Sequence, residues 1–452
     1  MHVPSVSDEL LAQYDVTGPR YTSYPTVPEW SKTFDESDAI AALKRASTRP
    51  NEPLSVYMHV PFCEHLCAYC GCNVIVAREK AKADPYLHQM GLEMGLVAKH
   101  LGERRTLSQI HWGGGTPTFL DIPRIERLWN TLREHFVIAD DAEISVEINP
   151  VTTSLKQLKA LRELGFNRLS IGVQDLNPKV QEAIGRHQTY DQTVAALQTA
   201  RALGFESINF DLIYGLPFQT TRTWAETLDQ VIALEPDRIA VYSFAWLPNL
   251  HPHQRRIDGE SLPRGRAKLD LFRQAWQAFA SAGYASIGMD HFAHRDDKLA
   301  VARANGTLWR NFQGYTVQQA SETVAFGVSA ISDIGGAFIQ TARTLPKYRD
   351  ALMEGRLPVV RGMHRSAEDE RRRHLITTLM CNLKLELSDD DQQHFADALS
   401  ALGPLVADGL LERDAHSLRV TELGRIFLRN IAMPFDAYLD PHADGQRYSR
   451  TV

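Results

Sequence analysis

Long apolar runs are missing from this chain. No uninterrupted stretch reaches the ~18 residues that a membrane-crossing helix needs, so no membrane span is expected. The opening Met1-His2-Val3-Pro4-Ser5 lacks a basic segment followed by an apolar core, so no secretory leader is expected and the reading is cytoplasmic. Excess positive charge is also missing. With 49 basic against 55 acidic side chains and a net charge of −6, nucleic acid is not favoured as a partner. A weak overall field still permits an anionic small substrate, because a few local arginines outweigh it. No short repeat or low-complexity tract is present, and with no long exposed apolar stripe a monomer is expected. What remains is 452 residues at 44% hydrophobic and 23% charged: an ordinary globular composition, long enough for two or three domains.

Cysteine is scarce but crowded. Four of the five fall within ten residues, in Cys63-Glu64-His65-Leu66-Cys67-Ala68-Tyr69-Cys70-Gly71-Cys72. Converging thiolates are soft ligands suited to an iron–sulfur cluster or to zinc. Structural zinc prefers four protein ligands, usually as two short pairs on separate elements, and no second Cys or His pair of that kind follows. Disulfides are the weaker alternative, since Cys70 and Cys72 are too close to pair easily and no oxidising compartment is implied. The cysteines alone favour the redox cluster over zinc. Held by three cysteines, a [4Fe–4S] cluster keeps one iron open to a small molecule. The fifth, Cys381, lies in an apolar-periodic stretch and reads as a small buried residue.

Along the chain, residues 1–50 read as an irregular, proline-punctuated arm with one helix over 37–46. Strand and helix signals then alternate. Strands are predicted at 54–59, 109–112, 142–148, 168–173, 207–213 and 238–244. Helices are predicted at 84–100, 122–135, 155–164, 179–184, 189–203 and 221–233. About six βα units favour a parallel sheet closed fully or partly into a barrel. The pattern changes near 362. Helices at 367–381, 388–394 and 396–408, a ribbon over 409–421 and a last helix over 422–430 suggest a winged-helix-like module. Its ribbon is not strongly basic, so a packing or substrate-covering role is favoured over DNA binding. The division is therefore 1–50, 51–361 and 362–452.

Reactive groups of a parallel α/β barrel gather at the carboxyl ends of its strands. Here those ends carry the cysteine loop, Gly113-Gly114-Gly115-Thr116-Pro117, Glu147, Gln174-Asp175, Asp211 and Ala245. The triple glycine lacks the pattern of a nucleotide-binding loop, and by itself it marks only a tight strand exit. Glycines there permit close backbone approach to a ligand. Glu147 and Asp211 are acceptors suited to ribose hydroxyls or an ammonium group, or else they are ordinary solvated carboxylates. Arg186 reads as an exposed arginine or as a carboxylate clamp.

Cys63-x3-Cys67-x2-Cys70 with Gly113-Gly114-Gly115-Thr116-Pro117 resembles the radical S-adenosylmethionine (SAM) enzymes. It is most similar to the oxygen-independent coproporphyrinogen III oxidases of haem biosynthesis. The resemblance runs through His59 to Cys63, Cys70-Gly71-Cys72-Asn73, His111 to Thr118, Gly172 to Asp175, Asp211 to Pro217, Gly288 to Phe292, Arg310 to Tyr315 and Arg429-Asn430-Ile431. It implies an α/β fold: a partial parallel (β/α)6 barrel with an N-terminal arm and a C-terminal, mostly helical, winged-helix-like domain. It further implies one [4Fe–4S] cluster on Cys63, Cys67 and Cys70, and two molecules of SAM. The first would contact Tyr57, Tyr69, Gly114 and Glu147. The second would contact Gly115, Thr116, Gln174, Arg186, Asp211, Ala245 and Ile331. Cys72 and Glu147 are the implied catalytic residues, with Cys72 not a ligand.

The implied reaction is decarboxylation of two propionates of coproporphyrinogen III to vinyl groups, giving protoporphyrinogen IX. A 5′-deoxyadenosyl radical takes a propionate β-hydrogen; carbon dioxide and one further electron then leave. An electron donor and acceptor, not identified by the sequence, complete the partners. Arg20 and Arg310 are candidates for the substrate carboxylates. The alternatives are a haem chaperone of a sister group, a radical methyltransferase or haem-opening relative, and a zinc-stabilised regulatory protein. The sister group typically has an aromatic residue in place of Cys72, so this cysteine favours the oxidase.

Overall fold

The computed structural model describes residues 3–317, 322–439 and 448–451. Its centre is a twelve-stranded sheet. Six strands run parallel in sequence order: β1 (Leu54–Val60), β2 (Thr106–Gly114), β3 (Val137–Ile148), β4 (Arg168–Gln174), β5 (Ser207–Tyr214) and β6 (Arg238–Ser243). Beyond β6 lie β7 (Tyr284–Ser286) and β8 (His291–His294), with β8 antiparallel to both β6 and β7. On the other side of β1, β9 (Thr323–Phe326) adds a further parallel strand. It is followed by antiparallel β10 (Ile331–Ile334), β11 (Ala337–Thr341) and β12 (Val359–His364). The outer strands β12 and β7 do not pair, so the α/β barrel is partial, as expected.

Strand alternation builds both faces of the wall. In β3, Ile144, Val146 and Ile148 are buried towards the helices, while Ser145 and Glu147 line the lumen. The helices cover the outside with one apolar stripe each. In Ile122–His135 the buried positions are Ile125, Leu128, Trp129 and Leu132, spaced i, i+3, i+4, i+7. Ser154 with Gln157 and Thr189 with Gln192 form capping boxes that fix where two of these helices begin.

Several elements differ from expectation. β3 begins at Val137 rather than 142, because Val137 and Ile138 pair with Thr106 and Leu107 of a longer β2. The arm carries a short helix, Asp8–Tyr14, in addition to Glu36–Ser47. The expected helix over 422–430 is a 3-10 turn, Gly424–Phe427, continued by Leu428–Ala432. The C-terminal ribbon gains a third strand: Lys384–Glu386 and Leu411–Arg413 flank Ser417–Val420. The boundary expected at 361/362 falls inside β12, which β11 pairs as far as His364. Ser366, which caps helix Ala367–Asn382, opens the C-terminal unit. Cys381 is fully buried in a small apolar cluster, as expected. No helix among the described residues is long and apolar enough to cross a membrane.

Helix Asp84–Leu101 pins the strand ends beside it. Glu93 accepts hydrogen bonds from the Gly327 N–H at 2.8 Å and the Tyr348 hydroxyl at 2.5 Å. Tyr86 donates to the His59 carbonyl at 2.6 Å. Burial pushes the Glu93 carboxyl up from 4.5 to about 8, the two donors opposing it. A carboxyl raised in the folded state stabilises fully below its unfolded value, and that contribution drains away as pH climbs to the folded value. Between about pH 5 and about pH 8 the protein should therefore lose stability relative to Glu93→Gln, by up to about 1.4 kcal/mol per pH unit. Urea midpoints of both proteins at the two ends of that range measure this; parallel pH curves would contradict it.

Candidate active site

The cysteine loop leaves β1 and is clamped by main-chain hydrogen bonds. Gly115 N–H donates to Val60 O at 2.8 Å and Thr116 N–H to Phe62 O at 2.9 Å. On its other side, Ala68 N–H donates to Ile184 O at 2.8 Å, seating Ala68 in an apolar cluster with Val180, Ile184 and Leu216. The turn Pro252–Arg256 closes the third side. His253 Nε2 bonds Cys70 O at 2.7 Å, and Gln254 Nε2 donates to Tyr69 O and Ala245 O at 3.3 and 3.2 Å.

These clamps explain the glycines. A Cβ on Gly115 would stand 2.6 Å from the Pro61 carbonyl, and a Cβ on Gly113 would stand 2.6 Å from the Glu147 carboxylate. Gly114 has φ +114°, a region that glycine adopts without cost.

All four loop cysteines are free thiols. Burial pushes Cys63 up to about 11, offset in part by Thr116, whose hydroxyl lies 3.3 Å from the sulfur. Burial likewise raises Cys67, with the Arg186 guanidinium working against it. Cys72, the exposed member, bonds Cys70 through its thiol and lowers Cys70 to about 7. Among the described residues no three His, Cys, Asp or Glu side chains close around a single metal ion. Cys63, Cys67 and Cys70 lie within electrostatic reach of one another on a pinned loop. Such a set suits a cluster that spreads its ligands over separate corners.

Glu147 faces this loop from β3. His111 Nε2 lies 3.0 Å from Oε1, and the Gly114 N–H donates to Oε2 at 3.3 Å. His111 is held in turn by Ser145 at 2.6 Å and by the ring of Tyr57, stacked at 5.8 Å. Burial pushes the Glu147 carboxyl up, but His111 and Gly114 outweigh it and leave it below the ordinary value. With 40% of its side chain open to solvent, it is an ionised acceptor facing a cavity. Asp211, opposite on β5, is pushed up to about 6 by burial, although Ser170 and Asn209 donate to it at 2.8 and 2.9 Å. Gln174 is held at φ +67° where β4 ends. Arg186 is buried and donates to Gly172 O at 2.7 Å and Asn149 Oδ1 at 3.3 Å.

Glu147 and Asp211 share one polar cavity of about 150 Å³ inside the barrel, with His111, Ser145, Tyr242 and His291. The remaining expected residues are distributed more widely. Ala245 lines a separate cavity beside Trp246. Ile331 lines another, beside Tyr24 and Arg310. Arg20 pairs with Asp290 at 2.9 Å. Arg310 is buried, donates to Arg20 O at 3.2 Å and lies 5.1 Å over Tyr315. The sequence reading assigned no role to His111, Ser145 or Asp290. Period-two alternation was the available signal: Gln109 and His111 share a face of β2, as Glu143, Ser145 and Glu147 do on β3.

The profile of the Radical SAM superfamily matches residues 57–231, and that of the HemN C-terminal domain matches 366–427. The chain is 42% identical to the oxygen-independent coproporphyrinogen III oxidase of Pseudomonas aeruginosa over 453 residues, 98% of each chain. It is 44% identical to the protein of that name from Escherichia coli over 451 residues, again 98% of each. The solved structure of the Escherichia coli coproporphyrinogen III oxidase (HemN), described as a radical SAM enzyme, superimposes with a TM-score of 0.89 at 45% identity. That match covers 93% of this chain and 98% of the other.

His111 generates a test. Without its donor the Glu147 carboxyl rises and fills with protons sooner as pH falls. His111→Ala should weaken SAM binding about ten-fold at pH near 5 and less near pH 8. Anaerobic calorimetry measures it; a loss independent of pH would assign His111 to packing alone.

Proposed function

The chain belongs to the family of oxygen-independent coproporphyrinogen III oxidases within the radical SAM superfamily, and on that premise we propose that it converts two propionates of coproporphyrinogen III to vinyl groups, yielding protoporphyrinogen IX. The observation that carries this reading is the clamped loop, which presents Cys63, Cys67 and Cys70 beside Glu147.

Those three thiols would hold one [4Fe–4S] cluster. When bound, the reduced cluster and SAM supply an oxidant strong enough to take hydrogen from an unactivated C–H bond. The protein's part is positioning and exclusion. Glu147, ionised and backed by His111, accepts from the ligand's ammonium group, with Tyr57, Tyr69 and Gly114 around it. Asp211, Gln174, Arg186, Gly115 and Thr116 form the second half of the rim and would receive the second SAM molecule, with Ala245 and Ile331 at its margins. Cys72 stays off the metal and serves turnover. The N-terminal arm and the C-terminal unit that opens at Ser366 would cover the strand ends of the barrel and keep water from the reacting carbon. The enzyme works as a cytoplasmic monomer, taking electrons from a separate donor and passing them to a separate acceptor.

Two experiments test this. Reconstituted protein incubated anaerobically with reductant, SAM and coproporphyrinogen III should form protoporphyrinogen IX. Stable haem binding with no product would point to a chaperone. Cys63→Ala, Cys67→Ala and Cys70→Ala should each lose the broad visible absorption and the bound iron, whereas Cys72→Ala should keep both and lose turnover. Equal iron loss in all four would overturn this division of the cysteines.

A further inference from the structure

Beside β5 and β6 positive charge outnumbers the acids: Arg20, Lys268, Arg429 and Arg450 stand near Asp15 and Asp290. Lys268, on helix Gly265–Ser281, reaches over Tyr214 with Nζ 5.8 Å from the ring centre. Its stem crosses Gly215 so closely that a Cβ there would meet Lys268 Cε at 3.0 Å. Nearby acids are already engaged: Asp15 pairs with Arg450 at 2.7 Å, and Asp290 pairs with Arg20 at 2.9 Å and His291 at 2.7 Å. Arg429 is 8% exposed and spends its donors on main-chain carbonyls: Pro19 at 2.9 Å, Arg450 at 2.7 Å, Ser449 at 3.1 Å, and Gly18. Neither Lys268 nor Arg429 has a carboxylate partner among the described residues. Burial, then the surrounding arginines, hold the Lys268 amine down at about 8 despite Asp15; burial and Arg20 hold Arg429 at about 9. Two deeply buried cations with no directly paired carboxylate are costly unless something supplies one.

The space beside them is amphipathic. A cavity of about 460 Å³ is lined by Lys268, Arg450 and Asp15 together with Phe244, Trp246 and Leu262. A smaller one, about 50 Å³, is lined by Arg20, Tyr214, Ser243 and Arg429, with Asp290 held by Arg20. The two share the wall made by Tyr214–Gly215 and Ser243–Phe244. Gln254 joins this wall to the cysteine loop by bridging Ala245 O and Tyr69 O.

We propose that this paired cavity is the substrate's carboxylate subsite: a propionate-bearing pyrrole lies on Phe244 and Trp246, and its carboxylate meets Lys268, with Arg429 and Arg20 behind. The inference rests on the function proposed above. A lysine is suited to this subsite as a point charge on a flexible stem, reaching a carboxylate that shifts as the ring turns.

Lys268→Met in the reconstituted holoenzyme is the test. KM for coproporphyrinogen III should rise about ten-fold or more, while SAM affinity stays unchanged. Lys268→Arg should recover most of the loss. Coproporphyrin III, bound anaerobically and followed by fluorescence, should lose affinity for the Met variant by the same factor, whereas its uncharged tetramethyl ester should bind both proteins equally. Undiminished binding of the tetra-acid by the Met variant, or an equal loss for the ester, overturns the subsite. Absence of product from the unaltered enzyme would count against the function itself; normal turnover with an indifferent Lys268→Met counts only against the subsite.

Discussion

The site depends on one close approach of main chain to main chain. The cysteine loop passes over the end of β2 at a distance that leaves no room for a side chain on Gly115. That contact fixes Pro61 and Phe62, and with them the start of the thiol-bearing segment. It also brings the Gly114 N–H to Glu147. Side-chain packing could not hold a ten-residue loop so firmly, because loops carry few apolar residues of their own. Hydrogen bonds to the loop's main chain from three different elements, the end of β2, helix Pro178–Ile184 and the side chains of turn Pro252–Arg256, replace that packing.

From this frame the electrostatics divide. Inside the barrel, polar residues of alternating strands gather around Glu147 and Asp211. Burial would neutralise both, but the donors around Glu147 keep it charged, while Asp211 is left close to half-protonated near pH 6. Beside β5 and β6, Arg20, Lys268 and Arg429 add positive charge around Asp15 and Asp290. Low-dielectric walls strengthen both fields beyond what a net charge of −6 suggests.

The arm and the C-terminal unit belong to the same core as the barrel. Val3, Leu11 and Tyr14 of the arm join one continuous apolar cluster with barrel residues and with Phe427, and the Tyr14 and Phe427 rings lie 5.5 Å apart. Arg429 ties the carbonyls of Gly18 and Pro19 to those of Ser449 and Arg450. The arm and the C-terminal unit are thus joined by buried contacts between segments more than 400 residues apart in the chain.

Local order fixed much of this in advance. The six βα units were legible because helix and strand periods differ and each segment carries its own. The cysteine spacing and the glycine run were legible because a loop's chemistry is written in consecutive residues. Other features had no local signature. β9 is four residues long and becomes a strand only through pairing with β1 and β10. His111 and Ser145 look like ordinary strand residues until neighbouring strands come into register and set them against Glu147. Lys268 and Arg429 are indistinguishable in sequence from surface cations; the fold placed them at adjoining cavities and paired the acids there with Arg450 and Arg20. The sequence by itself determined which groups exist and on which face each stands. Only the tertiary structure decided which of them meet, because charge pairing and desolvation depend on distance through space rather than along the chain.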